Sequence, residues 1–473
     1  MSGPMALEPG GTEQDTLALR LADTPRRVPR RLPADATLTL RLPGFGPNEE
    51  EVSRLAAELA DRVGPAVHPY EVAALLEADG LSADMIRQRY GHPNIFSLAA
   101  ALYERVPRVF PEPAATPDPW RPDHVRCLLR GVLFALPGLA YLLTAPLWHP
   151  GRHAAALIVA GIISWAWGQA LGHRAYLRMV AGQREAGRTL LVGAPAGAAV
   201  ATAGAALAAW GGPVTWAAAA QSLYLAAAGA LLVLGRERLL LAALTPLIAG
   251  AAVLPWWEPG PLLRTGLPAL ALAATLAAAG RALRAAHTAH APAAAGAAGA
   301  RPPLRRSLPY GLFGLAAAVL VLLEGRQAPY AVIALTVSMG PAEWLLYRFR
   351  GLSVTALGAA ATPLGFLLRS AGVLGLCLFS YVLLLLPVAL LTGAAPAALL
   401  LLAATLWTAL LLQAFGVGWP PAVVCLAAAA AAGAVTFLAP VRGPLILPLC
   451  CGAAALCLAG CALWILGRPA RHA

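Results

Sequence analysis

Glu324 and Glu343 are the residues of this chain best placed to do chemistry inside an apolar segment. Glu324 closes one apolar run beside Arg326, and Glu343 lies within the next run, ahead of Arg348. An ionisable group at membrane depth is costly and marks a candidate substrate or ion path. Glu343 could hold a proton or Na⁺, or position a polar head group. Snorkelling or local pairing near an interface is the plainer account of both glutamates. Gln169 and Gln221 are further path candidates among the polar residues inside apolar runs, with Ser222, Thr336, Ser338, Ser380 and Gln413. Interhelical hydrogen bonds, worth about 0.6 kcal/mol on average, are the ordinary role of such residues.

Other reactive constellations are absent from the sequence. Of the five acids after residue 125, Glu185, Glu237 and Glu258 belong to loops or span ends. No His pair, Ser/His/Asp set or Gly-rich phosphate cradle stands out. His173, His287 and His290 fall in expected loops, where solvation is the default. The seven Cys lie in apolar runs without metal-ligand spacing and read as small buried hydrophobes. These features disfavour an enzyme and call for no cofactor and no metal.

The elements that must position these residues are membrane helices. The chain has 473 residues, 59% in the hydrophobic set and 12% charged, with a mean hydropathy of +0.67. A soluble domain carries about 25% charged residues. A spanning helix needs about 20 apolar residues, and twelve runs qualify. They are approximately 127–148, 152–172, 189–210, 214–234, 238–256, 262–283, 309–325, 329–347, 370–392, 395–416, 421–440 and 445–467. All 35 basic residues are Arg, which together with the Ala, Gly and Pro usage suggests a GC-rich, bacterial genome. Nineteen Arg fall in loops on one side, against Arg152, Arg264, Arg326 and Arg442 on the other. The positive-inside rule then places both termini in the cytoplasm of a multi-pass cell-membrane protein. Trp148, Trp210, Trp256, Trp257, Trp419 and Trp464 fall near span ends, as interfacial anchors do.

The expected architecture is all-α, with two six-helix membrane bundles and a small cytoplasmic helical domain. The halves cover 126–283 and 309–467, joined by a cytoplasmic linker at 284–308 and followed by a tail at 468–473. In each half a long cytoplasmic segment joins the second and third spans, Gly172–Arg188 and Tyr347–Arg369. Six spans per half make the halves parallel repeats, an arrangement that places a substrate path at their interface.

Residues 1–125 hold 13 Arg and 18 Asp plus Glu, a net charge of −5. Residues 1–45 read as a disordered tail and 112–125 as a Pro-rich linker, with no apolar signal segment. Between them, 46–111 read as short helices. Asn48 with Glu51 makes a capping box for Val52–Val63. His68-Pro69 opens the next helix, Ser82 caps Ala83–Tyr90, and Asn94 opens Ile95–Val106. The spacing superficially suggests a helix-turn-helix reader, but the acidic charge argues against nucleic acid. A docking module for a cytoplasmic protein partner fits better.

Several stretches resemble the multidrug/oligosaccharidyl-lipid/polysaccharide flippase superfamily. Residues 161–170 (GIISWAWGQA), His173 to Tyr176 and Gln183 to Arg188 resemble its second span, linker and third span. Gln221 to Tyr224 and Leu234 to Arg238 resemble its fourth span and the loop after it. Leu323 to Tyr330 resembles its turn between spans seven and eight. The resemblance covers about residues 127–467. It implies alternating access between two bundles, with the polar head of a lipid-linked saccharide crossing a central cavity while its tail stays in the bilayer. The Arg excess would then attract phosphate. The amino-terminal helical domain is not standard for that family, and a cluster of cavity charges is lacking. The alternative expectation is a non-transporting scaffold in cell-envelope assembly.

Overall fold

A computed structural model describes residues 47–107, 122–147, 149–210, 212–289, 302–360, 362–391, 396–438 and 443–468. The expected tail 1–45, the linker stretch 112–121, residues 290–301 with His290, and Trp148, Arg442 and 469–473 lie outside the described residues. The described residues up to 107 and those from 122 onward fall in two separate compact units.

The first unit contains five helices, α1 (Pro47–Glu58), α2 (Ala60–Val63), α3 (Pro69–Ala78), α4 (Ala83–Arg89) and α5 (Ile95–Arg105). Three caps expected from the sequence form. His68 accepts from Tyr70 N at 3.2 Å, Ser82 from Met85 N at 3.3 Å, and Asn94 from Ser97 N at 2.9 Å. Each satisfies a backbone N–H that a helix start leaves unpaired. The Asn48 box does not form. The first helix starts earlier, at Pro47, so Asn48 is inside it and its side chain packs on Gly91. Val52, Val72, Leu76, Ile86, Leu98 and Leu102 make this unit's own core.

Arg89 Nε donates to Glu51 Oε2 at 2.8 Å. That bond holds the Glu51 carboxyl below its ordinary value, with help from Arg54. A depressed carboxyl stabilises the fold at neutral pH and ceases to as the pH falls through its folded pKa. Hydrogen exchange on the full chain is therefore expected to show faster opening of α1 and α4 as the pH falls below the ordinary carboxylate range. Glu51→Gln should flatten that dependence.

The second unit has helices and no strands among its described residues. Its elements are α6 (His124–Ala135), α7 (Gly138–Thr144), α8 (Pro150–Met179), α9 (Gln183–Ala208), α10 (Val214–Val233), α11 (Glu237–Ala243), α12 (Thr245–Val253), α13 (Pro261–Thr288), α14 (Leu308–Gln327), α15 (Pro329–Val337), α16 (Met339–Ala359), α17 (Pro363–Leu391), α18 (Pro396–Ala414), α19 (Trp419–Leu438) and α20 (Gly443–Leu466). Among the described residues, ten helical stretches are long and apolar enough to cross a bilayer. Leu368, Leu376, Phe379, Leu383 and Leu391 leave an apolar face of α17 exposed, which suits lipid and not water. Trp210, Trp256 and Trp464 are exposed near helix ends. The helices fit a multi-pass membrane protein.

The ten stretches coincide with ten of the twelve expected spans. The other two, 238–256 and 329–347, are each two helical pieces, α11/α12 and α15/α16. The first span is also broken, into α6 and α7. Proline stands at each break: it lacks an N–H and its ring clashes with the carbonyl four residues back, so it is best accommodated in a first turn. Pro137 separates α6 from α7, while Pro246 and Pro341 sit in the first turns of α12 and α16. Pro268 and Pro387 lie inside α13 and α17 instead.

The two long segments expected between second and third spans, Gly172–Arg188 and Tyr347–Arg369, prove to be mostly helix. α8 continues to Met179, and the chain turns at Gly182, φ +114°, straight into α9. α16 likewise runs on to Ala359, four residues before α17 begins. Polar and charged residues lie on helical extensions there, because Arg and Gln are good helix formers even where they end an apolar run.

Buried apolar clusters segregate along the chain. One draws on residues 313–466, and the others on residues 133–282. In the first set, α8 packs on α9 and α10, α9 on α10 and α13, α10 on α11 and α13, and α11 and α12 on α13. There α6 and α7 close against α11, α12 and α13. The same pattern of pairings recurs in the later helices. α15 and α16 pack on α17 and α18, α17 on α18 and α20, α18 on α19 and α20, and α19 on α20, with α14 against α19 and α20. The two sets meet where α8 packs on α14, and α6 on α15 and α16.

Candidate functional site

Both crossings between the two sets are made by small residues. A Cβ on Gly131 would stand 3.0 Å from Gly340 N and from Val337 O, and one on Gly340 would stand 2.8 Å from Cys127 O. The backbones of α6 and α16 therefore touch directly, as small residues allow at membrane-helix crossings. At the other crossing, Gly311 and Gly314 of α14 lie against Ala166, Gln169 and Ala170 of α8. His173 of α8 stacks on Tyr310 at 3.6 Å and its Nδ1 pairs with Ser307 Oγ at 3.1 Å. The expectation of a solvated loop His173 is thus corrected: it is buried in α8, which extends beyond the apolar run.

The glycine contact sets the position of a buried ion network. Arg130 precedes Gly131 and Glu343 follows Gly340 by one turn, so each faces the other across the crossing. Arg130 Nη1 donates to Glu343 Oε1. Its Nε and Nη2 donate to Glu237 Oε1 at 3.0 and 2.8 Å. Arg126, one turn earlier on α6, donates from Nε to the same oxygen at 2.9 Å. Two guanidinium groups thus meet two carboxylates. Arg130, Glu237 and Glu343 are all under a tenth exposed. Taking these charges out of water costs several kcal/mol per ion, which only mutual pairing offsets.

Local structure brings each charge in. Asp123 caps α6 by accepting from Arg126 N at 3.1 Å. Gly235, φ +67°, ends α10 with Arg236 N bonded back to Leu231 O at 2.8 Å, a left-handed cap that suits glycine. The reversal puts Glu237 in the first turn of α11, where a carboxylate also meets the positive end of the helix dipole. Trp344 Nε1 donates to His124 Nδ1 at 2.9 Å and Trp407 Nε1 to Ala342 O at 3.2 Å, which hold α16 on both sides of Glu343. All three broken spans contribute to the network: Arg126 and Arg130 from α6, Glu237 from α11 and Glu343 from α16.

Two cavities lie further along the same helices. One, of about 550 Å³, is bounded by Phe134 of α6, Trp165, Val321, Leu335, Ala342 of α16 and Tyr381, among others. The second, of about 790 Å³, includes Tyr141, Gln221, Tyr224, Leu225, Thr265 and Val332. They share Trp165, Leu225 and Val332. No Arg, Asp, Glu or His lines either one.

Of the five residues singled out from sequence, three fall at or near this site. Glu343 is in the network. Gln169 is buried and borders, with Arg130 and Tyr176, a void of about 10 Å³, the lower limit for one water. Gln221 lines the larger cavity. Glu324 is elsewhere, between core residues Leu320, Leu323 and Ala328 of the second set, and its Oε2 has no hydrogen-bond partner among the described residues. Arg326 is exposed, so these two residues, two positions apart, face different surroundings.

Sequence reasoning passed over Arg126, Arg130 and Glu237, counting the arginines as topology signals and the glutamate as a loop acid. A signal existed: Arg126 and Arg130 are one turn apart on one face, in a membrane portion with only five acids to pair with. Among the described residues no cluster of metal-binding side chains occurs. No family model, curated protein or solved structure matches the chain.

Proposed function

We propose that this chain is a membrane transporter of the flippase type, in which two six-span halves, counting the broken spans 238–256 and 329–347, alternate the access of a shared path. The observation that carries the reading is Arg130, held between Glu237 of the first half and Glu343 of the second, at the end of cavities lined from both. Recurrence of the helix pairings six spans later fits parallel repeats, in which a path runs between the halves. The inter-half crossings are built on small residues, and the apolar clusters of the two halves are separate, so a rocking motion leaves each half's core intact. The ion network then acts as a latch, closing the end of the path that carries His124 and Trp344. The arginine-rich end is the cytoplasmic one in this reading, which puts the latch on that side.

The latch reading has a direct test. Cysteines at His124→Cys and Trp344→Cys, bridged by a reversible bifunctional thiol reagent, should hold α6 on α16. Fluorescent-lipid flux in proteoliposomes of the full chain is expected to fall at least about tenfold on bridging, about 1.4 kcal/mol on the opening step, and to return on reduction. Controls carrying only one of the two substitutions should be unaffected. Equal flux with and without the bridge rejects the latch, and no flux above empty liposomes rejects the transporter.

A scaffold is the second reading, favoured by one feature of the first unit. Val67, Tyr70 and Phe96 are exposed there, with Tyr70 and Phe96 edge to face at 5.8 Å. Exposed aromatics of this kind suit a protein partner. Deleting residues 47–107 should abolish function in this case and spare flux in the first.

A further inference from the structure

We propose that the paired cavities bind a neutral amphiphile, an aliphatic or prenyl chain ending in a hydroxyl or ester, and exclude a phosphate-headed lipid. The role of this site as a transport path rests on the transporter reading above; its ligand chemistry rests on the lining. Volumes of about 790 and 550 Å³ are those of ligand sites, which combine apolar walls with a few placed polar groups.

The polar groups gather in the larger cavity, at Tyr141, Gln221, Tyr224 and Thr265. Gln221 is the anchor. Tyr141 Oη donates to its Oε1 at 2.8 Å, and its Nε2 donates to Leu157 O at 3.2 Å. A primary amide has two N–H donors and two carbonyl lone pairs. One of each is left over after these two bonds, in a side chain already fixed in place. A hydroxyl uses both and an ester carbonyl uses the N–H. The smaller cavity, reached past Trp165, Leu225 and Val332, offers Val321, Leu322 and Leu410 to the chain.

Charge decides against the phosphate. No cationic side chain lines either cavity. Arg130 spends its three nitrogens on Glu237 and Glu343, and Arg264, which precedes the lining Thr265, donates to Pro259 O and Leu143 O. An unpaired phosphate in such walls would carry a desolvation cost far above that of an alcohol. This departs from the headgroup-in-cavity arrangement that the family resemblance implies.

The test uses the full chain in lipid nanodiscs, with a long-chain alcohol bearing a photoactivatable diazirine and the phosphate monoester of the same chain. The alcohol is expected to label α10 near residues 217–225 and α14 near 317–325, saturably. Unlabelled alcohol should compete and the monoester should not. Gln221→Leu, close to isosteric, should weaken the alcohol about fivefold, the loss of one hydrogen bond, and leave the matching alkane unchanged. Leu225→Trp should fill the neck and remove the α14 label while the α10 label remains. Labelling by the monoester as strong as by the alcohol overturns the proposal. So does labelling that never saturates and ignores Gln221→Leu, the mark of bulk lipid contact only. Saturable labelling without lipid flux sinks the transporter reading and leaves the site. Flux without saturable labelling does the reverse.

Discussion

Arg130→Met is expected to destabilise the membrane unit by about 3–5 kcal/mol, the range for removing one partner of a buried ion pair. The loss comes less from the missing attraction than from what stays behind. Glu237 keeps Arg126, but Glu343 loses the one donor seen at its Oε1, and its Oε2 already has no partner among the described residues. Equilibrium unfolding in mixed micelles, followed by helical signal, measures the change. Adding Glu343→Gln should recover a large part of it, because a neutral amide tolerates the site better than a lone carboxylate. Arg130→Met with Glu237→Gln and Glu343→Gln should approach the original stability while losing the latch, since apolar or neutral replacements of buried ion networks are often as stable as the networks. A triple variant no better than Arg130→Met would show that the arginine acts through packing instead.

Gly340→Val should be the second most damaging change, at about 2–3 kcal/mol, the upper part of the range for overpacking. Even a single Cβ there would lie 2.8 Å from Cys127 O, a backbone atom that cannot swing aside. α6 and α16 must separate, and the Arg130–Glu343 bond stretches with them. The coupling is measurable: Gly340→Val and Glu343→Gln together should cost less than their sum, as for residues sharing one contact. Gly351→Ala on the same helix is the control. A Cβ at Gly351 meets nothing within 4 Å, so this change should be neutral or stabilise by up to about 1 kcal/mol. Comparable damage from both substitutions would mean that glycine at 340 serves the helix and not the crossing.

Legibility differed sharply between helices and contacts. His68, Ser82 and Asn94 were readable as caps because a cap acts within three residues, and Pro69 reinforced the first of them. Asn48 failed by the same local logic, since an earlier helix start at Pro47 removed the end it was to cap. Hydropathy found the ten long apolar helical stretches, yet could not see that α8 and α16 run on as helix past their apolar runs. Helix propensity continues through Arg and Gln after hydrophobicity stops. His173 was misplaced for that reason.

The sequence alone determined that this chain is built of membrane helices, with ten of the expected spans met by long apolar helices and a separate acidic helical unit ahead of them. In hydrocarbon every backbone polar group needs an internal partner, so an apolar run of sufficient length has almost no alternative to a helix. Only the tertiary structure decided what Arg130 touches. Its partners lie 107 and 213 residues away, and no local rule specifies which helix faces meet. That was settled by the fit of Gly131 against Gly340, a contact between two side chains that are not there.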